Sequence, residues 1–318
     1  MNATLTCAFN WLFRYAIKER GVCKLVAEYA QEFEGAYVTA LVGHARVVSA
    51  IVELNNGKLV SGSWDKPMRV WDVNTATCTL MIDEPGGSVT HLAALGEDMF
   101  ASCSRDAVVR IWDVHTGACS MHLVGHTMSV RCLVALDDGK LASASFDRTV
   151  RVWDVHTGSC LHTLTGHADV VSALTKLTNK MLASGSWDNS IKIWSLETQA
   201  CVHKTLTGHT DMVCALTGLM NGTLASGSWD KSVRIWDVSS GVCLQIFAGH
   251  TDSVLTLVLL ADGSLASGSD DRDVRVWDVH TGLCLFTIPH AKSVRALASL
   301  KNGQLAVGCV NHNIQIWR

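Results

Sequence analysis

Residues 125–154 read GHTMSVRCLVALDDGKLASASFDRTVRVWD, and this stretch decides the fold. Gly125-His126 opens it, and a run rich in Val and Leu follows. Asp137-Asp138-Gly139 is a turn, residues 141–145 make a strand, and Asp147-Arg148 is a tight turn. Val150-Arg151-Val152-Trp153 then alternates apolar and polar residues as a strand does. Downstream, His156-Thr157-Gly158 is another turn, and residues 160–164 make a last short strand. Four short strands separated by Asx and Gly turns are an all-β unit.

The unit repeats. Trp153 belongs to a series of Trp71, Trp112, Trp153, Trp194, Trp236, Trp277 and Trp317, spaced 41, 41, 41, 42, 41 and 40 residues apart. Asp follows five of them. A histidine stands 27 residues before the Trp in six units: His44, His126, His167, His209, His250 and His290. The second unit has Pro85 in that place, within Glu84-Pro85-Gly86-Gly87. Self-similarity at roughly 40–45 residues with Gly-His and Trp-Asp marks indicates a propeller of four-stranded blades. The expected fold is therefore all-β, a seven-bladed β-propeller of four-stranded antiparallel blades with a short N-terminal helical extension.

Composition agrees and excludes several alternatives. The chain has 318 residues, 48% hydrophobic and 17% charged, with a formal net charge of −3. That balance leaves ample apolar material for a core and excludes a polycation that grips nucleic acid by charge alone. No apolar run reaches the ~18–20 residues of a membrane span. Cys78, Cys119, Cys160, Cys201, Cys243 and Cys284 recur once per unit, at intervals of 41 or 42. Equivalent thiols in separate units cannot meet the short Cα separation of a disulfide, so they are expected to be small, reduced, buried residues. Reduced thiols point to the cytoplasm, with the nucleus also open to the protein. No Cys-x-x-Cys pair is present, so no metal site and no cofactor is expected.

With these motifs the chain resembles the WD-repeat β-propeller family over residues 34–318. The resemblance implies a buried tetrad in each blade: His before the first strand, Ser on the second, Asp in the following turn, and the Trp. Matching sets are His44, Ser61, Asp65 and Trp71; His126, Ser143, Asp147 and Trp153; His167, Ser184, Asp188 and Trp194. Two more are His209, Ser226, Asp230 and Trp236, and His250, Ser267, Asp271 and Trp277. Buried polar groups must satisfy one another, so each set is expected to close a network. Blade two has Pro85 for His, and blade seven has Val307 and Asn311 for Ser and Asp. These two blades are expected to be the looser ones. Ser, His and Asp together suggest a hydrolase, but a catalytic triad is assembled once, beside an oxyanion hole. Here the set recurs five times with a Trp beside it, and no nucleophile elbow or phosphate loop accompanies it. An enzyme is the remote alternative.

Residues 35–43 parallel residues 117–125, so the segment 34–42 is expected to supply the outer strand of the last blade and close the ring. Closure removes a bare sheet edge. Residues 1–33 lie before the repeats. Val22, Leu25, Val26, Tyr29, Ala30 and Phe33 fall on one helical stripe, so this extension is expected to be helical.

A propeller carries function on its loops. In resembling proteins three positions per blade point to one face, the top face. Before the tetrad Asp stand Trp64, Arg105, Phe146, Trp187, Trp229, Asp270 and Val310. Three residues after the His slot stand Val47, Ser88, Ser129, Val170, Met212, Ser253 and Ser293. Five after it stand Ser49, Thr90, Arg131, Ser172, Cys214, Leu255 and Arg295. Trp and Arg are enriched at interaction hot spots. The expected function is a non-catalytic protein–protein interaction scaffold, a monomeric propeller within a larger complex, binding a peptide or protein segment through this face. Trp187, Trp229 and Met212 are the expected anchors. Arg105, Arg131 and Arg295 would orient an acidic or phosphorylated segment, with Trp64, Phe146 and Asp270 beside them. The alternative is a substrate receptor of a ubiquitin-ligase-type assembly recognising such segments.

Overall fold

The computed structural model describes residues 36–178, 180–197 and 204–318. The expected helical stripe between Val22 and Phe33 lies outside the described residues. Seven four-stranded sheets follow one another along the chain, each ordered from the inside outward. The innermost strands are Val48–Glu53, His91–Ala94, Val130–Ala135, Val171–Lys176, Val213–Gly218, Val254–Leu259 and Val294–Ser299. Every strand pair is antiparallel, and within each blade the consecutive strands are joined by hairpin connections of three to eight residues. The protein is a seven-bladed β-propeller of four-stranded antiparallel sheets.

The ring closes through a strand from the other end of the chain. Tyr37–Leu41 pairs with Ile314–Trp317, with Leu41 opposite Ile314. Ala36 and Arg318 exchange backbone hydrogen bonds of 3.0 and 3.1 Å. Leu41 is 1% exposed, and Tyr37 meets the Trp317 ring edge-on at 5.7 Å.

The cores lie between blades rather than within them. Trp71 of blade one packs with Ala296, Ala306 and Ile314 of blade seven. Trp112 packs with Val60, Met68 and Val70 of blade one. Each Trp thus fastens its blade to the one before. The middle Gly of Ser-Gly-Ser serves the same packing. A Cβ on Gly62 would fall 2.3 Å from Val89 of the next blade, and one on Gly268 2.5 Å from Val294. Only a residue without a side chain lets these sheets approach.

Five of the six repeated cysteines depart from expectation, and the sixth, Cys201, lies outside the described residues. All described cysteines are unpaired, but Cys78 and Cys160 are exposed and Cys119, Cys243 and Cys284 are half-buried. They stand on the outermost strands, at a bulge opposite the Trp, as Cys160 does opposite Trp153. Each thiol turns back to the carbonyl two residues on; Cys160 Sγ lies 3.4 Å from His162 O. The outer strand has no neighbour to bury it.

Candidate functional site: the tetrads, the rim and the channel mouth

The polar sets assemble as closed chains of hydrogen bonds. In blade three, His126 Nδ1 lies 2.7 Å from Asp147 Oδ2 and its Nε2 2.7 Å from Ser143 Oγ. Trp153 Nε1 donates to the same Ser143 Oγ at 2.8 Å. One direction satisfies every group: Trp donates to Ser, Ser to His, and His to Asp. Blades one, four, five and six repeat it, through Ser61, Ser184, Ser226 and Ser267. Burial holds the His44, His126 and His250 imidazoles below their ordinary range despite the adjoining carboxylates. Each Asp also accepts a backbone N–H, such as Thr127 N at 3.1 Å. Every serine of these sets is fully buried, with no opening to a substrate.

Blade two closes a polar network of its own. Glu84, one residue before Pro85, carries the network instead of a histidine. Its carboxylate accepts from Ser102 Oγ at 2.5 Å, and Ser102 accepts from Trp112 Nε1 at 2.8 Å. Arg110 bridges Glu84 at 2.7 Å and Asp106 at 2.5 Å. An acidic residue where five of the other six units have Gly was the available signal. Blade seven does lack a closed set. His290 Nε2, Trp317 Nε1, Asn311 Oδ1 and Gln315 Oε1 are buried without a protein partner.

The positions read as top-face residues fall into two groups. The residue before each tetrad Asp and the one three after the His slot share a rim, joined by backbone hydrogen bonds. Trp229 N donates to Met212 O at 2.9 Å, Trp187 N to Val170 O at 2.9 Å, and Trp64 N to Val47 O at 3.1 Å. Phe146 and Asp270 are tied in the same way. Trp64 and Trp229 are 38% and 41% exposed, whereas the tetrad Trp side chains are buried. Phe146 and Trp187 are half-buried and meet edge-to-face at 5.3 Å. Arg105 stacks over Trp64 at 6.0 Å, and Arg131 over Phe146 at 5.8 Å. Arg295 Nη2 pairs with Asp270 Oδ1 at 3.0 Å, so opposite charges meet between blades six and seven.

The third set lines the central channel: Ser49, Thr90, Arg131, Ser172, Cys214, Leu255 and Arg295. Three of its hydroxyls face another blade rather than a partner. Ser49 Oγ donates to Val89 O, Thr90 Oγ1 to Val130 O and Ser172 Oγ to Val213 O, each at 2.6 Å. They stitch neighbouring blades together. No cluster of three or more metal-ligating side chains occurs among the described residues.

Seven radial sheets, interblade Trp packing and five closed polar sets define a repeat propeller. The family model for the WD domain, G-beta repeat, matches residues 35–72, 77–113, 117–154, 158–195, 200–237, 241–278 and 282–318, and the chain belongs to the WD40 repeat family. It is also similar to the ribosome biogenesis protein WDR12 homolog of Arabidopsis thaliana, 38% identical over 81 residues. That match covers 23% of this chain and 18% of the Arabidopsis protein, well under two thirds of the relative's length.

Proposed function

We propose that this protein is a non-catalytic interaction scaffold that takes a peptide or protein segment across its rim. The observation that carries this reading is aromatic. Trp64 and Trp229 stand more than a third exposed on the same rim as the Phe146–Trp187 pair. Large aromatics held by a stiff backbone bind with little entropic loss, and Trp and Arg dominate interaction hot spots. Trp187, Trp229 and Met212 anchor the segment in blades four and five, and Arg105 and Arg131 meet its polar parts. A substrate receptor in a ubiquitin-ligase-type assembly is a special case, decided by whether residues 1–33 bind an adaptor. The Arabidopsis relative's role in ribosome biogenesis favours a place within a larger assembly, here as a monomeric propeller.

The test is a paired capture from native lysate. One bait is wild type, and the other carries Trp229→Ala and Arg131→Glu with its melting temperature matched. Trp229 is preferred to Trp187 because it is the more exposed and its loss disturbs no aromatic pair. Partners retained equally by both baits overturn the rim reading and direct attention to the opposite face.

A further inference from the structure

The outer perimeter of the ring is apolar on one side and polar on the other. The positions six and eight residues after the Trp open each outer strand. In blades one and two they hold Thr77, Thr79, Ala118 and Ser120. In blades five and six they hold Val242, Leu244, Leu283 and Leu285, and the closing strand of blade seven opens on Tyr37 and Val38. Val242, Leu244, Leu283 and Tyr37 are each more than half exposed, and Val38 nearly so. No charged residue stands in 37–42, 242–247 or 283–288. A sheet edge without charges is ordinarily covered. This belt is not the rim described above. The outer strand of blade six, Cys284–Pro289, runs toward His290 in the loop that feeds the rim, so Leu283 lies at the opposite end.

Residues 1–35 join the ring at this belt. Ala36, which exchanges backbone hydrogen bonds with Arg318, stands at the foot of the closing strand, next to Tyr37 and Val38. Blade six, with Leu283 and Leu285, lies on one side of blade seven; blade one, with Thr77 and Thr79, lies on the other.

We propose that the belt is the seat of the chain's own residues 22–33, lying with Val22, Leu25, Val26, Tyr29, Ala30 and Phe33 against blades seven and six. Two residues, Glu34 and Gly35, join Phe33 to Ala36, so the segment has to leave the ring beside Tyr37. A helical stripe of this length spans about 18 Å. Packed sheets lie about 10 Å apart, so the stripe reaches blade six from blade seven. Polarity sets its direction, since Leu283 and Leu285 match an apolar stripe and Thr77 and Thr79 do not. Lys24, Glu28 and Glu32 fall off the stripe and stay in solvent. Val242 and Leu244 lie further along the belt, on the path of the residues before Val22. The inference is independent of the rim reading.

The experiment uses the full chain and reads each side of the contact from the other. Limited trypsin digestion is followed at Lys24, and timed alkylation by N-ethylmaleimide at Cys284, beside Leu283. Wild type is compared with Leu283→Asp on the belt, Phe33→Asp on the segment and Thr77→Asp at the equivalent place in blade one. Leu283 is exposed and Phe33 precedes the ring, so neither change enters an interblade core. Cleavage follows the population of the lifted segment, so Leu283→Asp and Phe33→Asp are each expected to speed the cut after Lys24 about tenfold. Phe33→Asp is expected to speed alkylation of Cys284 to the same extent. Thr77→Asp is expected to leave both rates unchanged, and Cys160 on blade three to keep its rate in every variant. Lys24 cut as fast in wild type as in Leu283→Asp overturns the proposal, as does a Cys284 rate indifferent to Phe33→Asp. Thr77→Asp acting as strongly as Leu283→Asp overturns it too, because the contact would not lie on blade six. Protection of Cys284 that grows with protein concentration also overturns it, since a second copy would then cover the belt. None of these variants alters a rim residue, so partner capture by the Trp229→Ala and Arg131→Glu bait stays a separate test.

Discussion

Glu84 Oε1 lies 2.7 Å from Arg110 Nη1, and their side chains are 0% and 7% exposed. This buried ion pair takes the place of an imidazole in the one blade without its histidine. A buried pair adds little net stability over apolar residues of the same shape, but removing Glu84 leaves Arg110 paired with Asp106 alone and the buried Ser102 hydroxyl without its acceptor, at about 1–3 kcal/mol. Glu84→Ala is expected to lose about that much in denaturant unfolding. Removing Arg110 as well, as Glu84→Leu with Arg110→Met, is expected to recover most of it. A double variant as unstable as the single one would show that Glu84 acts through Ser102 alone.

In blade seven, Val307 is fully buried on the strand position that carries the tetrad serine elsewhere. The rings of His290 and Trp317 sit 5.5 Å apart at 61°, much as His126 and Trp153 sit at 6.1 Å and 64°. The bridging hydroxyl is missing, and in the carboxylate's absence His290 Nδ1 lies 2.9 Å from Ile288 O. A buried donor without a partner costs about 1–3 kcal/mol, against about 1 kcal/mol for the apolar surface a serine gives up. Val307→Ser is therefore expected to raise stability by about 1 kcal/mol, and Ser143→Val in blade three to lower it by about 2 kcal/mol or more. Calorimetric melting of the two variants checks both; a Val307→Ser protein that melts lower than wild type would contradict the unmet-donor account.

The propeller was legible because periodicity reports sequence distance directly: seven Trp at a near-constant spacing need no knowledge of contacts. The five tetrads were legible for the same reason, since all four members recur in register. What escaped required contacts between units. Glu84 stands one residue off the histidine register and gains meaning only with Arg110 across the blade. The pairing of Arg295 with Asp270 joins two repeats, so no repeat read by itself shows it. Ser49, Thr90 and Ser172 passed as surface residues because a hydroxyl's acceptor on the next blade leaves no mark in the sequence. The repeated cysteines misled in the opposite sense: their period marked equivalent places, but not that the place is a sheet's outer edge.

Proton uptake should weaken the fold in two stages. Buried His44, His126 and His250 have their pKa lowered from the ordinary value of 6.5, chiefly by desolvation. The unfolded chain then binds protons near pH 6.5 that the folded chain refuses, so stability is full above that pH and falls as pH drops below it. Burial alone would raise the Asp65, Asp147 and Asp271 carboxyls, but backbone N–H groups, hydroxyls and imidazoles hold them below 3.8. Their contribution has the same sign and is lost as pH falls below about 4. The melting temperature is expected to be level from pH 7 to 8, to decline below 6.5 and to drop steeply below 4. His126→Gln should flatten the first decline; a melting temperature that rises between pH 7 and 5.5 would refute the assignment.

The strand Tyr37–Leu41 is the last link in the ring, and its removal tests how far the blades depend on closure. Without it, Ile314 and Ile316, both fully buried, would lose the neighbour that covers them, and the backbone of Ile314–Trp317 would become a free edge. Neighbouring blades bury each other's cores, so a weakened blade seven also uncovers Trp71, which packs against it. Deleting residues 34–42 is therefore expected to lower the melting temperature by several degrees or more and to promote association through the exposed edge. Leu41→Asp is the milder test, placing a charge at a site only 1% exposed while keeping the backbone pairing. It should destabilise by about 3 kcal/mol, through a desolvated, unpartnered carboxylate. If both variants melted with the wild type, blade seven would have to be held by its three inner strands alone, and the ring would not need its closing strand.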